Sequence, residues 1–456
     1  MRIVDPATGA TLSEVAAADR RAVADAVARA RSVQPGWAAT PLETRRGVIR
    51  RFRALVAGRA DALARTLTRE VGKPIRQARS EIAGVLPRVD FFLDEVAAAT
   101  ADRVVAAGGP DRPEERIAQE PLGVVANVSA WNYPWFVGAN VFLPALLTGN
   151  AVVYKPSELA TLTGIAIEAL LTEAGVPPGV FQAVVGAGDV GAMLVEEPVD
   201  AVCFTGSHAT GVRVAAAVAT RLVKLQLELG GKDPVYVCDD VAVPAAAAAV
   251  AEGAFYNTGQ SCCAVERVYV HERVWQPFLD AFVATVRGWA VGDPLDEATF
   301  IGPLARREPQ LALLEAQVAD AVARGARIVC GGTRLDRPGF FFAPTVLVDV
   351  DHGMAVMRDE TFGPLVGLMR VGADDDAVAL MKDTPYGLTA AVYTSERARA
   401  ERLLAALNVG TAYWNCCDRV SPRLPWSGRG ASGVGVTLAR EGIATFLRPK
   451  AWHLRG

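Results

Sequence analysis

Hydrophobic and polar positions divide the chain into two regimes. Over the first hundred residues, apolar side chains recur at three- and four-residue spacing between charged faces along 17–33 and 45–71, which predicts amphipathic helices. Pro35-Gly36 and Gly72-Lys73-Pro74 punctuate their ends, and Gly47 and Gly58 weaken the second stretch as one unbroken helix. These helices read as a surface layer wrapped on another body, with little in them that reads as function. From about residue 121 the pattern changes to short apolar runs alternating with helical ones. Strands are predicted over 124–128, 151–155, 181–185, 201–204 and 222–227, with helices over 135–147 and 161–173. After Gly230-Gly231-Lys232 a second alternating set begins. It has helices over 244–255 and 273–289, a strand over 265–271, and strands near Val346, Val366, Ala390 and Thr411. A last short strand is expected within 442–452.

Apolar strands alternating with helices argue for parallel sheets covered on both faces. The fold class is therefore α/β, with two doubly wound parallel-sheet units. Such sheets take ligands beyond the carboxyl ends of their strands, so the residues just after each strand come under scrutiny.

Composition narrows the function classes. The 456 residues exceed the ~150-residue domain prior about threefold, so two or three domains are expected. With 47 Lys+Arg against 50 Asp+Glu the net charge is −3, without the basic excess of a nucleic-acid binder. At 51% hydrophobic and 21% charged residues the chain does not read as disordered. The apolar run 241–251 is interrupted by Pro244 and too short to span a bilayer. Met1-Arg2-Ile3-Val4-Asp5-Pro6 is not followed by the apolar core of a signal peptide. A soluble, cytoplasmic protein with no nucleic-acid or membrane partner is expected. The seven cysteines (203, 238, 262, 263, 330, 416 and 417) are odd in number and include two vicinal pairs, a poor basis for a disulfide framework. No C-x-x-C pair occurs and the four histidines are scattered, so no metal site is expected.

Five segments are able to carry chemistry. In Asn257-Thr258-Gly259-Gln260-Ser261-Cys262-Cys263-Ala264 a thiol on a glycine-containing loop is a candidate nucleophile; the alternative is a buried structural cysteine. Glu228 closes an apolar strand beside two glycines. Burying it would raise its pKa and suit it to general-base work on a water, unless it simply pairs with Lys224 or Lys232. Asn132, in Trp131-Asn132-Tyr133-Pro134, offers a neutral donor to an oxyanion, although Asn before a proline is also ordinary turn chemistry. Lys155-Pro156-Ser157-Glu158 ends a strand in a chain with only six lysines against 41 arginines. A compact ammonium there, with a carboxylate three residues on, suits ribose hydroxyls and opposes a 2′-phosphate; a solvated pair is the alternative. Phe204-Thr205-Gly206-Ser207-His208-Ala209-Thr210-Gly211 runs a strand into a helix whose N-terminal N–H groups suit a phosphate. His208 reads as solvated rather than catalytic.

These segments occur in the order of the aldehyde dehydrogenase superfamily, which the chain resembles from Asp5-Pro6-Ala7-Thr8-Gly9 to Pro425-Trp426-Ser427-Gly428; Glu360-Thr361-Phe362-Gly363-Pro364 completes the set. The resemblance implies that Cys262 is the nucleophile and Cys263 a bystander. It implies that the Asn132 amide and the Cys262 N–H hold the oxyanion, and that Glu228 activates the water that hydrolyses a thioester. Trp131, Lys155, Ser157, Glu158, Gly206, Ser207, Leu229, Glu360 and Phe362 would bind the cofactor, NAD in preference with NADP possible. A substrate tunnel would be lined by Tyr133, Val137, Asn140, Ser261 and Cys263, with Arg419 at the loop 416–420 able to attract an acidic aldehyde. Asn140 replaces a bulky aromatic of several relatives, and the Gly-Arg-Glu common in relatives is Gly435-Val436-Thr437 here. The implied domains are a Rossmann-like NAD(P)-binding unit (1–103 and 122–233), a catalytic unit (234–434) and an oligomerisation β-extension (104–121 and 435–456) building a homodimer or homotetramer.

Three alternatives stand beside hydrolytic aldehyde oxidation. Transfer of the acyl group to coenzyme A is opposed by Glu228. A catalytically inactive binding relative is opposed by the joint presence of Cys262, Asn132 and Glu228. A cofactor-free cysteine hydrolase would want a histidine base, and the nearest in sequence is His271 on a predicted strand.

Overall fold

In the computed structural model, which describes residues 1–109 and 111–455, the strand–helix alternation becomes two parallel sheets joined at Gly230–Lys232. Pro110 and Gly456, inside the two segments expected to build an oligomer, lie outside the described residues. The chain opens with the antiparallel pair β1 (Arg2–Val4) and β2 (Thr11–Glu14), then four helices: α1 (Arg20–Ala39), α2 (Leu42–Gly58), α3 (Ala60–Val71) and α4 (Ile75–Thr100). Strands β3 (Arg103–Ala106) and β4 (Glu114–Pro121) follow. The first parallel sheet is built from β5 (Val124–Val128), α5 (Pro134–Leu147), β6 (Ala151–Lys155), α6 (Thr161–Glu173), β7 (Phe181–Ala183), α7 (Gly188–Glu196), β8 (Ala201–Thr205), α8 (His208–Val218) and β9 (Lys224–Glu228). Its strand order is β9-β8-β5-β6-β7, and Gly433–Val434 adds an antiparallel edge on β9. Every residue of β5 and β6 is buried, as strands covered on both faces must be.

The second sheet starts with β10 (Asp233–Val237), α9 (Val243–Phe255) and β11 (Val265–His271). Across it the order is Arg327–Cys330, Thr345–Val348, Leu365–Val371, β11, β10, Thr389–Tyr393, Thr411–Trp414, parallel except for the first pair. A separate antiparallel sheet sets β4 between β3 and the C-terminal strand Leu447–Leu454.

Four expectations need correction. Helix α1 does not stop at Pro35-Gly36 but runs on to Ala39. The extra turn buries Trp37, whose indole N–H donates to the Leu146 carbonyl at 2.9 Å, offsetting the amide lost at the proline. The stretch 45–71 breaks at Arg59, one residue after Gly58. The final stretch is not strand alone: a short helix, Ala439–Ala444, precedes the strand. Nor are the N-terminal helices a mere surface layer. α4 packs against α2, α3 and α5 and buries Gln77, Glu81 and Arg88 among its apolar residues. α5, with thirteen of its fourteen residues buried, lies in the core between the helices and the sheet.

One buried carboxylate in this layer has a pH signature. Glu70 of α3 accepts the N–H groups of Leu162 and Thr163 and the Thr163 hydroxyl, capping α6 from outside where its first N–H groups lack partners. Burial pushes its carboxyl up to about 7 against those hydrogen bonds. Because the folded pKa lies above the unfolded one, the native state binds the extra proton between about pH 4.5 and 7, so stability falls as pH rises through that window. Glu70→Gln is expected to flatten this decline, by about 3 kcal/mol at most, in urea titrations at pH 5 and 8; an unchanged pH slope would remove Glu70 as its source.

Candidate active site

Four chain segments meet at the carboxyl ends of the first sheet, and glycines set how closely. β9 ends at Glu228 and passes through Leu229-Gly230-Gly231 into Lys232. A Cβ on Gly230 would lie 2.0 Å from the Glu360 carboxylate, and one on Gly231 would lie 3.1 Å from the Cys262 carbonyl. The Gly231 N–H donates to Glu360 at 3.3 Å. A Cβ on Gly259 would lie 2.2 Å from the Gly363 carbonyl. Glu228, Cys262 and the turn carrying Glu360 and Phe362 are therefore brought together by backbone approaches that a side chain would block.

The cysteine loop is strained and heavily braced. Asn257 and Thr258 adopt φ of 53° and 59°, followed by Gly259 at 70°; each non-glycine left-handed residue costs about 1–3 kcal/mol. The bracing comes from several directions. The Asn257 N–H donates to Gln77 of α4, its side chain to the Asn132 and Gln260 carbonyls, and Gln260 accepts the Ala305 N–H. Cys262 emerges half-buried from this turn. Cys263 is buried: its thiol donates to Asp418 at 3.0 Å, and Ser261 donates to the same oxygen at 2.9 Å. The hydrogen bond with Cys262, burial and Asp418 together hold the Cys263 thiol well above the usual thiol range. Of the vicinal pair, Cys262 is the accessible sulfur and Cys263 a bracket to the loop 416–420.

Asn132 lies between β5 and α5, whose first residue is Pro134. It is 3% exposed, and its carbonyl is taken by Asn257, leaving its side-chain amide uncommitted among the described residues. Glu228 is 6% exposed and pairs with neither Lys224 nor Lys232. It accepts the Thr437 hydroxyl, the Gln226 amide at 3.2 Å and the Thr205 hydroxyl at 3.5 Å. Burial pushes its carboxyl up to about 7, opposed by these hydrogen bonds and by the charge of Arg88. The Thr437 hydroxyl thus holds the Glu228 carboxylate directly. Val137 and Asn140 follow Tyr133 along α5, both buried, and Asn140 Oδ1 has no partner. Arg419 is exposed at a small groove of about 100 Å³ that also takes in Glu252, Tyr256 and Asp418.

The remaining positions lie around the same strand ends. Lys155 is buried with its ammonium 3.4 Å from Glu158, whose side chain is 44% exposed; burial lowers the lysine pKa and Glu158 opposes that. Ser157 is buried beside them and donates to Glu158. Gly206 donates its N–H to the Glu228 carbonyl, and Ser207 caps α8 by accepting from Thr210. Leu229 fills the space a Cβ on Gly211 would need, drawing α8 close to the sheet. Trp131 meets Phe362 edge-on at 5.4 Å, and Glu360 is pushed up to about 8 by burial and the neighbouring Glu266 charge. His208 is not simply solvated: it bonds the Ala431 carbonyl and packs edge-on with Tyr386.

Lys73, Gln77, Glu81 and Arg88 complete the underside of the site. Lys73 pairs with Glu81, which also accepts the Trp135 N–H, and the lysine ammonium lies 3.7 Å from the Tyr133 ring centre. The scarcity of lysine, used above for Lys155, applies equally to Lys73 and Lys232, both wholly buried; that signal would have found them. Among the described residues no cluster of potential metal ligands occurs and no helix is long and apolar enough to cross a membrane.

Comparison with known proteins covers almost the whole chain. The profile of the aldehyde dehydrogenase family matches residues 1–452. Betaine aldehyde dehydrogenase, chloroplastic, of Amaranthus hypochondriacus is 34% identical over 98% of this chain and 91% of its own length. A solved NADP-dependent enzyme of E. coli superposes with a TM-score of 0.95 at 33% identity, covering 99% of this chain and 94% of that one. The NAD-dependent aldehyde dehydrogenase of Sinorhizobium meliloti superposes at 0.96 with 32% identity, covering 99% and 91%. With a family match over almost its whole length and relatives aligned end to end, this chain belongs to the aldehyde dehydrogenase family.

Proposed function

We propose that this enzyme oxidises its aldehyde through covalent intermediates on Cys262, with NAD as the preferred hydride acceptor and NADP accepted. The observation that carries the reading is the convergence of an accessible thiol, an uncommitted buried amide and a buried carboxylate near neutrality. The Cys262 thiolate attacks the carbonyl, and the oxyanion is held by the Asn132 amide and the Cys262 N–H. A nicotinamide held near Glu360 and Phe362 would supply the hydride acceptor, and loss of hydride from the adduct on Cys262 would leave a thioester on that sulfur. Glu228 then removes a proton from the water that hydrolyses it. Coenzyme A transfer is not favoured, because a buried base is placed to activate water.

The strand ends suit a dinucleotide on grounds independent of the chemistry. Gly206 and Ser207 open the eleven-residue α8, whose free N–H groups favour a pyrophosphate. The half-exposed Glu158 beside Lys155 suits ribose hydroxyls and opposes a 2′-phosphate. Glu360 would take the second ribose, a reading supported by its closeness to Phe362, whose ring meets Trp131. On this reading 1–103 and 122–233 form the cofactor-binding unit and 234–434 the catalytic unit. The sheet of β3, β4 and Leu447–Leu454, which exposes Val104 and Val105, serves assembly into a homodimer or homotetramer. Seven free thiols suit a reducing compartment such as the cytoplasm. Tyr133, Val137, Asn140, Ser261 and Cys263 would line the aldehyde's path, with Arg419 at its mouth.

Reduced-nicotinamide formation across aliphatic, aromatic, amino and acidic aldehydes, with NAD and with NADP, tests the assignment. Cys262→Ala is expected to lower turnover by about 10³-fold or more, whereas Cys263→Ala retains most of it; the reverse pattern would exchange their roles. Because Glu228 works ionised, the deacylation-limited rate is expected to rise with pH through about 7. Glu228→Gln should keep a single-turnover burst and abolish the steady state, and steady turnover in that variant would place the base elsewhere.

A further inference from the structure

The side chains on either side of Cys262 converge on one atom. Ser261 donates its hydroxyl to Asp418 Oδ1 at 2.9 Å, and Cys263 donates its thiol to the same oxygen at 3.0 Å. The two donors lie 3.6 Å apart. Both are nearly sealed from solvent, at 2% and 4% exposure, while Cys262 between them is half-buried. The segment turns tightly, with the Ala264 N–H donating to the Ser261 carbonyl at 3.2 Å. Pinning both neighbours to one point fixes the backbone that carries the thiol between them.

Asp418 is itself held from behind. It and Asn415 adopt φ of 48° and 55°, left-handed positions that persist only where the surroundings over-determine them. Three contacts do so. Asn415 exchanges two hydrogen bonds with the Thr394 backbone, each 3.0 Å long. The Cys417 sulfur fills the space that a Cβ on Gly253 of α9 would need. The Tyr413 phenol donates to the Arg419 carbonyl. The loop 416–420 is thus anchored on the second unit, and Asp418 extends from it to the cysteine loop. Ser261 and Cys263 are the only groups that donate to its side chain among the described residues. Of the two cations near it, Lys73 is taken by Glu81, and Arg419 turns its guanidinium to the Asp418 carbonyl at 3.4 Å.

We propose that Asp418 is a positioning residue that selects Cys262 over Cys263 as the nucleophile. This rests on the reading of Cys262 as the residue that attacks the aldehyde. The carboxylate fixes the direction of one thiol by clasping both its neighbours, and it silences the other by accepting that thiol's hydrogen bond. A thiol that donates to a carboxylate loses the bond when it ionises and gains a like-charged neighbour, so Cys263 stays protonated and unreactive. Two adjacent cysteines of the same intrinsic chemistry thereby take different roles from a single oxygen atom.

The test uses the full-length enzyme, alkylated with iodoacetamide and mapped cysteine by cysteine by mass spectrometry, beside single-turnover and steady-state rates. Cys262→Ala is run first: if its steady turnover persists, Cys262 is not the nucleophile and the selection falls with that reading. In the wild type, label is expected at Cys262 and not at Cys263. Asp418→Ala, alone and combined with Cys262→Ala, should raise labelling of Cys263 by about tenfold or more, since the thiolate is the reacting form. Alone, it should lower the single-turnover rate by about ten- to a hundredfold with the KM for NAD unchanged. Cys203, Cys238 and Cys417, also buried, should stay unlabelled, which separates release of Cys263 from loosening of the fold. Asp418→Asn retains the accepting oxygen and is expected to restore most of both properties. Asp418→Gly, which suits the left-handed backbone, replaces the alanine variant if thermal melting shows that it does not fold. Cys263 left unlabelled in a folded variant without the carboxylate overturns the proposal. So does label that reaches Cys263 only together with Cys203, Cys238 and Cys417, or an asparagine variant no better than the alanine one.

Discussion

The buried pair of Lys232 and Glu266 is the joint on which the two sheets and the site depend. Lys232 is the first residue after the Gly230-Gly231 hinge, and its ammonium donates to Glu266 of β11 at 2.7 Å and to the Thr361 hydroxyl at 2.9 Å. Glu266 also accepts the N–H groups of Thr361 and Phe362. Such a pair contributes little net stability, yet breaking it strands a charge at a cost of about 3–5 kcal/mol. Its effect here is register. It fixes the turn in which Phe362 sits at φ 49°, and so fixes where Glu360 meets Gly230 and where Gly363 meets Gly259.

Much of the fold was legible because parallel strands buried on both faces leave a continuous apolar trace. β5, β6 and α6 follow the pattern almost residue for residue, and β11 matches 265–271. Local signals misled where tertiary packing outweighed them. Pro35 reads as a stop, yet the burial of Trp37 carries α1 past it. The segment after Gly442 reads as strand because most of it is one, Leu447–Leu454, and only the last residues of the six-residue helix Ala439–Ala444 fall within it.

The candidate site was legible in the residues that motifs carry and not in the polar groups packed behind them. Cys262, Glu228 and Asn132 each keep a structural alternative in local sequence, and it is the order of the family's motifs that singles them out. The polar residues behind them do not announce themselves, because Gln77, Glu81 and Arg88 sit at ordinary helical spacing in a charged, amphipathic segment. Only the tertiary fold turns that face inward. Thr437 likewise reads as a missing glutamate, and its direct hold on Glu228 is visible only once the C-terminal segment lies along β9.

That C-terminal segment has a bearing on how the enzyme is made. Gly433–Val434 forms the edge beside β9, Thr437 donates to Glu228, the Phe446 carbonyl accepts from Asn150, and Leu447–Leu454 pairs with β4. The first sheet therefore lacks its edge partner when its own five parallel strands leave the ribosome. It waits through about two hundred residues of the second unit. The surroundings of Glu228 are thus completed by residues that follow the whole second unit in sequence, so a polypeptide that stops before Gly433 lacks both the edge beside β9 and the Thr437 hydroxyl.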